Sequence, residues 1–197
     1  MLYKLSVVNM NRPDFILSRI SGKILDVGFN SGTLHRKIKE KFKNDVFGID
    51  TVIKKETECY KEADASKKIP FPDNYFDTIV AGEVIEHMKK PEGFIQEAYR
   101  VLKKDGRIII TTPNRLSLIN RIFRSYYAPL HFTLFAEKEL AGLLESKGFR
   151  IIESVYFPFT PESCDNSRYP ELFLFRKTLH HIIPKNLRED MIFVCKK

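Results

Sequence analysis

The stretch Ile24-Leu25-Asp26-Val27-Gly28-Phe29-Asn30-Ser31-Gly32-Thr33-Leu34 decides the fold. An apolar run of strand character enters a turn with two glycines. The turn opens into residues 33–42, where Leu34 and Ile38 stand four apart among Lys and Arg, as on a helix packed against a sheet. Glycine permits positive φ and lets backbone approach a ligand closely, and the first turn of a helix offers unpaired N–H groups. Such a turn suits a nucleotide-like ligand. The dinucleotide pattern GxGxxG asks for glycine at 28, 30 and 33, but Asn30 and Thr33 occupy the last two positions, which disfavours a nicotinamide oxidoreductase.

Outward from this unit, short apolar runs alternate with amphipathic stretches. Residues 45–50, 76–81, 106–111 and 149–157 read as further strands. Pro91 followed by Phe94, Ile95, Ala98, Val101 and Leu102 reads as a helix ended by an Asp105-Gly106 turn, and residues 137–147 as another closed by Gly148. The class is α/β with a mainly parallel sheet. Two segments exceed a minimal alternation. In residues 114–130, Leu116, Ile119, Phe123 and Tyr126 share a helical face; in residues 160–190, Leu172, Phe175, Leu179 and Ile182 do the same, with His180 and His181 expected to face solvent. Both read as basic amphipathic lids, before a final apolar run at 191–195.

Composition bounds the rest. The chain has 197 residues, 43% hydrophobic and 29% charged, with 33 Lys plus Arg against 25 Asp plus Glu and a formal charge of +8. A chain of this length buries roughly 70% of its unfolded surface, so a single domain over residues 1–197 needs no disulfide or metal to fold. No apolar run approaches the ~18–20 residues of a spanning helix, and residues 1–10 lack the features of a signal peptide; a cytoplasmic location is expected, peripheral to a membrane at most. Cys59, Cys164 and Cys195 are odd in number and far apart, and are expected to be buried thiols. The positive charge leaves nucleic acid, anionic lipid and phosphorylated metabolites open as partners.

The spacing Asp26-x-Gly28-x-x-x-Gly32 resembles the cofactor turn of class I S-adenosylmethionine-dependent methyltransferases, with Asn30 where those enzymes usually carry a further glycine. The resemblance continues in order through Asp50 at the end of the second strand, Asp64-Ala65, the run Pro70-Phe71-Pro72-Asp73-Asn74-Tyr75-Phe76-Asp77, Gly82-Glu83-Val84-Ile85-Glu86-His87-Met88, Arg100 to Arg107, Thr111 to Asn114, and His131-Phe132-Thr133. It covers residues 20–157. It implies a Rossmann-like, doubly wound, seven-stranded sheet whose one antiparallel strand lies near an edge, for which 191–195 is the candidate. It further implies S-adenosyl-L-methionine as cofactor and S-adenosyl-L-homocysteine as product. Gly28, Asn30 and Gly32 would meet the methionyl end, with Asp26 either orienting the glycine turn or accepting from the cofactor amine. Asp50 would meet the ribose hydroxyls and Asp64 with Ala65 the adenine, with Gly82 and Glu83 completing the set. Asp77 is expected to fix the chain entering the fourth strand. The group most resembled is the small-molecule methyltransferases of the ubiquinone and menaquinone type.

Methyl transfer from a sulfonium is an in-line displacement, and orientation alone supplies ~7–11 kcal/mol of such a barrier. An oxygen acceptor gains from losing its proton, and His87 is the side-chain type that takes one near neutral pH. Spacings of three and four would place Glu83, Glu86 and His87 on one helical face, and with His131 they would make a cluster able to hold a divalent metal, as in small-RNA 2′-O-methyltransferases. A metal-free pocket is the favoured reading. The expected acceptor is a small molecule or lipid precursor, methylated on oxygen; an RNA methyltransferase and a non-catalytic cofactor-binding partner subunit are the alternatives.

Overall fold

Strand β1 (Ile24–Val27) is buried along its whole length. In the computed structural model, which describes residues 11–29, 32–122, 131–157 and 178–197, it pairs in parallel with β2 (Val46–Asp50) on one side and β4 (Phe76–Gly82) on the other. β3 (Tyr60–Glu62) extends the β2 side, and β5 (Leu102–Pro113), β7 (Asp190–Lys196) and β6 (Arg150–Phe157) extend the β4 side. The seven strands stand in the order β3-β2-β1-β4-β5-β7-β6. β7 alone runs against the rest, antiparallel to both β5 and β6.

The central strands read as continuous apolar runs because both sheet faces are covered. Leu25, Ile79 and Ile108 point to the face closed by α3 (Pro91–Val101) and α5 (Glu137–Ser146), through Phe94, Ile95, Ala98, Leu140 and Leu144. Their neighbours Ile24, Val80 and Ile109 point to the opposite face, closed by Phe15 and Ile16 of α1 (Arg12–Leu17) and Ile38 of α2 (Thr33–Phe42). Each such fully buried aliphatic side chain contributes about 1.5–3 kcal/mol, which fixes the two-sided sheet and so the height at which its C-terminal ends open.

Several expectations shift. Helix α3 stops at Val101 rather than at the Asp105-Gly106 turn, because Leu102 already pairs with Phe76 in the sheet. The turn itself is present within β5, with Asp105 at φ 67 and the pairing slipping between Phe76 and Thr78. Helix α1, not foreseen, starts where the Asn11 side chain accepts from the Asp14 N–H at 2.9 Å, with Pro13 in its first turn. Asp77 does fix the entry to β4: its carboxylate accepts from Lys23 N–H at 2.8 Å and from Lys103 Nζ at 2.9 Å. Arg100 ties residues 69–73 to α3, donating to the Ile69 and Phe71 carbonyls while pairing with Glu97 and Asp73.

Of the expected lid over 114–130, a short helix α4 (Leu118–Ile122) is seen, and Leu116 precedes it. Phe123 and Tyr126, like Leu172, Phe175 and Cys164, lie outside the described residues. The two additions meet: the Asn114 side chain donates to the Asn186 and Arg188 carbonyls at 3.0 and 2.7 Å. His180 is buried rather than solvent-facing, and burial pushes its imidazole down to about 4; His181 is exposed. Cys195 is buried as expected, its thiol pushed up by burial to about 12, whereas Cys59 is partly exposed. No helix among the described residues is long and apolar enough to cross a membrane.

Candidate cofactor and acceptor cleft

At the C-terminal ends of β1, β2 and β4 lies a cleft of about 810 Å³, within the size range of small-molecule sites. Gly28 forms its floor at φ +77, and its N–H donates to the Ile49 carbonyl at 2.8 Å, tying the end of β1 to β2. A Cβ there would sit 2.4 Å from Val84 Cγ2, so the position demands glycine on two grounds. Gly32 precedes α2 in extended backbone, with no side chain capping the helix N–H groups. Asn30 lies outside the described residues.

Asp50 ends β2 at the cleft wall. Its Oδ1 receives long contacts from Thr51 and Val52, at 3.5 and 3.4 Å. Asp64 is committed to its own turn: Oδ1 accepts from Ser66 N–H at 3.0 Å and Ser66 Oγ at 2.6 Å, and these bonds, the hydroxyl above all, lower its pKa. The turn presents the small, buried Ala65 to the cleft. It is held by a close approach, since a Cβ on Gly93 of α3 would lie 2.2 Å from the Ser66 carbonyl oxygen.

Gly28, Asp50, Asp64, Ala65 and Glu83 thus line one cavity, while Asp26, Gly32 and Gly82 do not. Asp26 is buried beneath the glycine turn, with Oδ2 2.9 Å from His35 Nδ1; burial outweighs that bond and raises its pKa. Gly82 faces Leu34 of α2.

The far end of the cleft is built by the single 3₁₀ turn Ile85–His87 with Met88, Lys89 and Phe132. The Glu86 carbonyl accepts from the Phe132 and Thr133 N–H groups at 2.8 and 3.0 Å, and the Thr133 hydroxyl donates to the Met88 carbonyl at 3.0 Å. These bonds stitch the segment after α4 onto the turn, bringing the His87 and His131 rings to 4.9 Å. Glu86, His87 and His131 place one ligand atom each within 4.8 Å of the others, a set able to hold a metal ion.

Glu83 does not join them. It sits at φ +55, its Oε1 accepting from the Thr111 hydroxyl at 2.8 Å and pairing with Arg12 at 2.7 Å. The expected cluster, three residues on one helical face joined by His131, therefore reduces to Glu86 and His87 on a 3₁₀ turn with His131, because the strained Glu83 backbone breaks the helical spacing. Arg12, Val84 and Phe132 were not singled out from sequence. Arg12 had no local signal; Phe132 stood beside His131 and was available by adjacency.

The Glu86 carboxyl is buried and accepts from the Thr112 hydroxyl at 3.1 Å. Burial first, and then the Glu83 charge, push its pKa well above the ordinary 4.5. Such a carboxyl holds its proton better in the folded chain than in the unfolded one. Its stabilising contribution is therefore complete below about pH 4.5 and is lost as pH rises toward the native value. Glu86→Gln is expected to melt near the parent at pH 4 and about 2–4 °C above it at pH 8. Parallel Tm–pH curves for the two proteins would refute this.

A family model described as a methyltransferase domain matches residues 9–154. The mitochondrial ubiquinone biosynthesis O-methyltransferase of Bos taurus is 31% identical over 166 residues, covering 70% of this chain and 45% of that protein. A probable S-adenosylmethionine-dependent methyltransferase of Mycolicibacterium smegmatis is 32% identical over 88 residues, covering 45% of this chain and 34% of that one. The chain thus spans less than half the length of either relative. Among solved structures, an S-adenosylmethionine-dependent methyltransferase from Archaeoglobus fulgidus superposes with a TM-score of 0.64 at 18% identity, over 99% of both chains, a likeness of fold. The matched stretch runs from before α1 into β6 and takes in both ends of the cleft, and on that ground this chain belongs to the class I S-adenosylmethionine-dependent methyltransferases.

Proposed function

We propose that this protein transfers the methyl group of S-adenosylmethionine to an oxygen of a small-molecule or lipid-precursor acceptor. One observation carries the reading: a single cleft joins the Gly28–Asp50 end, suited to the cofactor, to the His87–Phe132 end, suited to an acceptor. The methionyl tail lies along the side-chain-free backbone at Gly28, Asp50 accepts from the ribose hydroxyls, and the adenine packs over Ala65. Phe132, 54% exposed at the mouth with Lys89 Nζ 5.1 Å from its ring, offers an apolar surface under a positive charge. That pairing fits an apolar acceptor bearing negative charge, and also an approach to an anionic membrane surface.

In the reaction, a lone pair of the acceptor oxygen attacks the methyl carbon as the carbon–sulfur bond breaks. S-adenosylhomocysteine leaves, and His87 takes the acceptor's proton. The ubiquinone biosynthesis relatives support oxygen as the target.

Asp50→Asn keeps the shape but loses the charge of the acceptor group, so the Kd for S-adenosylhomocysteine is expected to rise about 10- to 100-fold, read by calorimetry. An unchanged Kd would remove Asp50 from the site. The activity is tested by supplying methyl-labelled cofactor with cell extract, with and without EDTA, and tracing label into lipid, small-molecule, RNA and protein fractions. Label in the lipid or small-molecule fraction is expected. The Glu86–His87–His131 group favours a second reading, a metal-assisted RNA 2′-O-methyltransferase, for which EDTA-sensitive label in RNA is the sign. Cofactor binding with no labelled fraction would instead mark a non-catalytic partner subunit.

A further inference from the structure

A second cavity, of about 580 Å³, lies on the other side of the turns that bound the cleft: Phe29 follows Gly28, and Ile53 follows the Asp50 strand end. Its floor is aromatic and fixed in place. The rings of Phe29 and Tyr60 lie 5.0 Å apart, and each is within ring contact of His35. Both rings rest on Gly48 of β2, where a Cβ would fall 2.6 Å from Phe29 and 2.9 Å from Tyr60. The floor is also hydrogen-bonded from beneath: His35 bridges the buried Asp26, at 2.9 Å, and the Tyr60 hydroxyl, at 3.2 Å. A glycine shelf, a ring triad and a buried carboxylate holding the central imidazole make a preorganised surface, which lowers the cost of ordering side chains on binding.

The rim has the opposite character. Arg36, Lys39, Lys54 and Lys55 surround the opening, with Lys39 Nζ 5.0 Å from the centre of the Tyr60 ring. Glu40 is the one carboxylate lining it, 4.0 Å from Arg36. Two nearby acids are turned to backbone: Glu56, in the loop before β3, accepts from Glu62 N–H at 2.8 Å, and Glu62, at the end of β3, from Ile53 N–H at 3.3 Å. Four cations over an aromatic floor, in which the Phe29 and Tyr60 rings are tilted 49° to one another, match a ligand that has both a π-face and a multiply charged anion.

We propose that this cavity binds a nucleoside phosphate, the base stacking on Tyr60 and meeting the tilted Phe29 ring at an angle, and the phosphates meeting Lys39, Lys54, Lys55 and Arg36. The site is separate from the methyl-transfer cleft, yet shares with it the backbone of the glycine turn and the end of β2. The ligand is either a free nucleotide or one nucleotide of an RNA strand, and the same chemistry recognises both.

The test is calorimetry of the full chain with ADP, in saturating S-adenosylhomocysteine so that the cleft is filled. Saturable binding at 50 mM KCl is expected, several-fold weaker at 200 mM, as phosphate contacts require. The double variant Lys39→Ala/Lys54→Ala, both surface lysines, and separately Tyr60→Leu should each weaken ADP at least tenfold. Each should leave the affinity for S-adenosylhomocysteine within error of the parent, and the lysine variant the Tm as well, whereas Tyr60→Leu, which gives up the His35 bond and the ring contacts, lowers the Tm. No ADP heat in the presence of S-adenosylhomocysteine, equal affinity for pyrophosphate alone, or indifference to both variants would overturn the proposal. A failure of methyl-transfer activity alone leaves these readouts intact. Oligoadenylate of five nucleotides binding more than tenfold tighter than ADP identifies RNA as the source; comparable affinities identify the free nucleotide.

Discussion

Gly28→Ala is expected to abolish measurable cofactor binding and to cost about 2–4 kcal/mol of folding stability. The added methyl would meet Val84 Cγ2 at 2.4 Å, and alanine is strained at φ +77. Overpacking costs about 1–3 kcal/mol, and forcing a side chain into positive φ about 1 kcal/mol more. Relief requires moving either Val84, which leads into the His87 turn, or the end of β1, and both motions narrow the cleft. Urea unfolding reads the stability and calorimetry with S-adenosylhomocysteine the binding. Gly142, in the interior of α5, is the comparison: nothing lies within 4 Å of its would-be Cβ. Gly142→Ala should leave binding unchanged and stabilise by roughly 0.4–1 kcal/mol, because it removes only unfolded-state freedom and improves helix propensity. Equal effects of the two substitutions would show that the crowding at Gly28 has no functional meaning.

His87→Ala is expected to lower kcat by about 10²- to 10⁴-fold, the span that a general base contributes, with cofactor affinity changed less than about twofold. The side chain stands at the end of the cleft proposed for the acceptor, beside His131 and Phe132, on a turn fastened by backbone bonds that its own ring does not make. Truncating it therefore leaves the turn in place. A role in positioning alone would raise KM and leave the shape of the pH–rate profile intact. Loss of the acidic limb of that profile in the variant, with KM little altered, marks proton removal. The measurement needs the acceptor that the labelling experiment identifies, whereas the Gly28 experiment needs none.

The parts of this molecule that were legible in the sequence are those whose signal is local. Ile24–Val27 and Phe76–Gly82 read as strands because two covered faces leave an unbroken apolar run, and Gly28 announced a turn by lacking a side chain. That one strand would run antiparallel was implied by the family resemblance, for which the apolar run at 191–195 was the candidate. What escaped depends on distant partners. Helix α1 has six residues and little periodicity, and its Arg12 acquires meaning only through Glu83. Gly93 and Gly48 look like ordinary glycines until the Ser66 carbonyl and the Phe29 ring are seen against them. The spacing of Glu83, Glu86 and His87 pointed to a helical face, but a positive φ at Glu83, rewarded by Thr111 and Arg12, set that residue apart from the other two. His180 was assigned to solvent from an amphipathic pattern, which cannot say which polar residue the next layer will cover.

The placement of β7 between β5 and β6 has a bearing on how the chain reaches this state. β6 has no neighbour in the sheet except β7, and residues 158–189 separate the two. Until β7 docks, β5 keeps an open hydrogen-bonding edge and β6 has no strand to zip onto among the described ones, so the half of the sheet beyond β5 closes as one late event across a long stretch of sequence. During synthesis the nascent domain presents that bare edge to its surroundings until β7 has emerged. Self-association through β5 is therefore the misfolding route its topology invites.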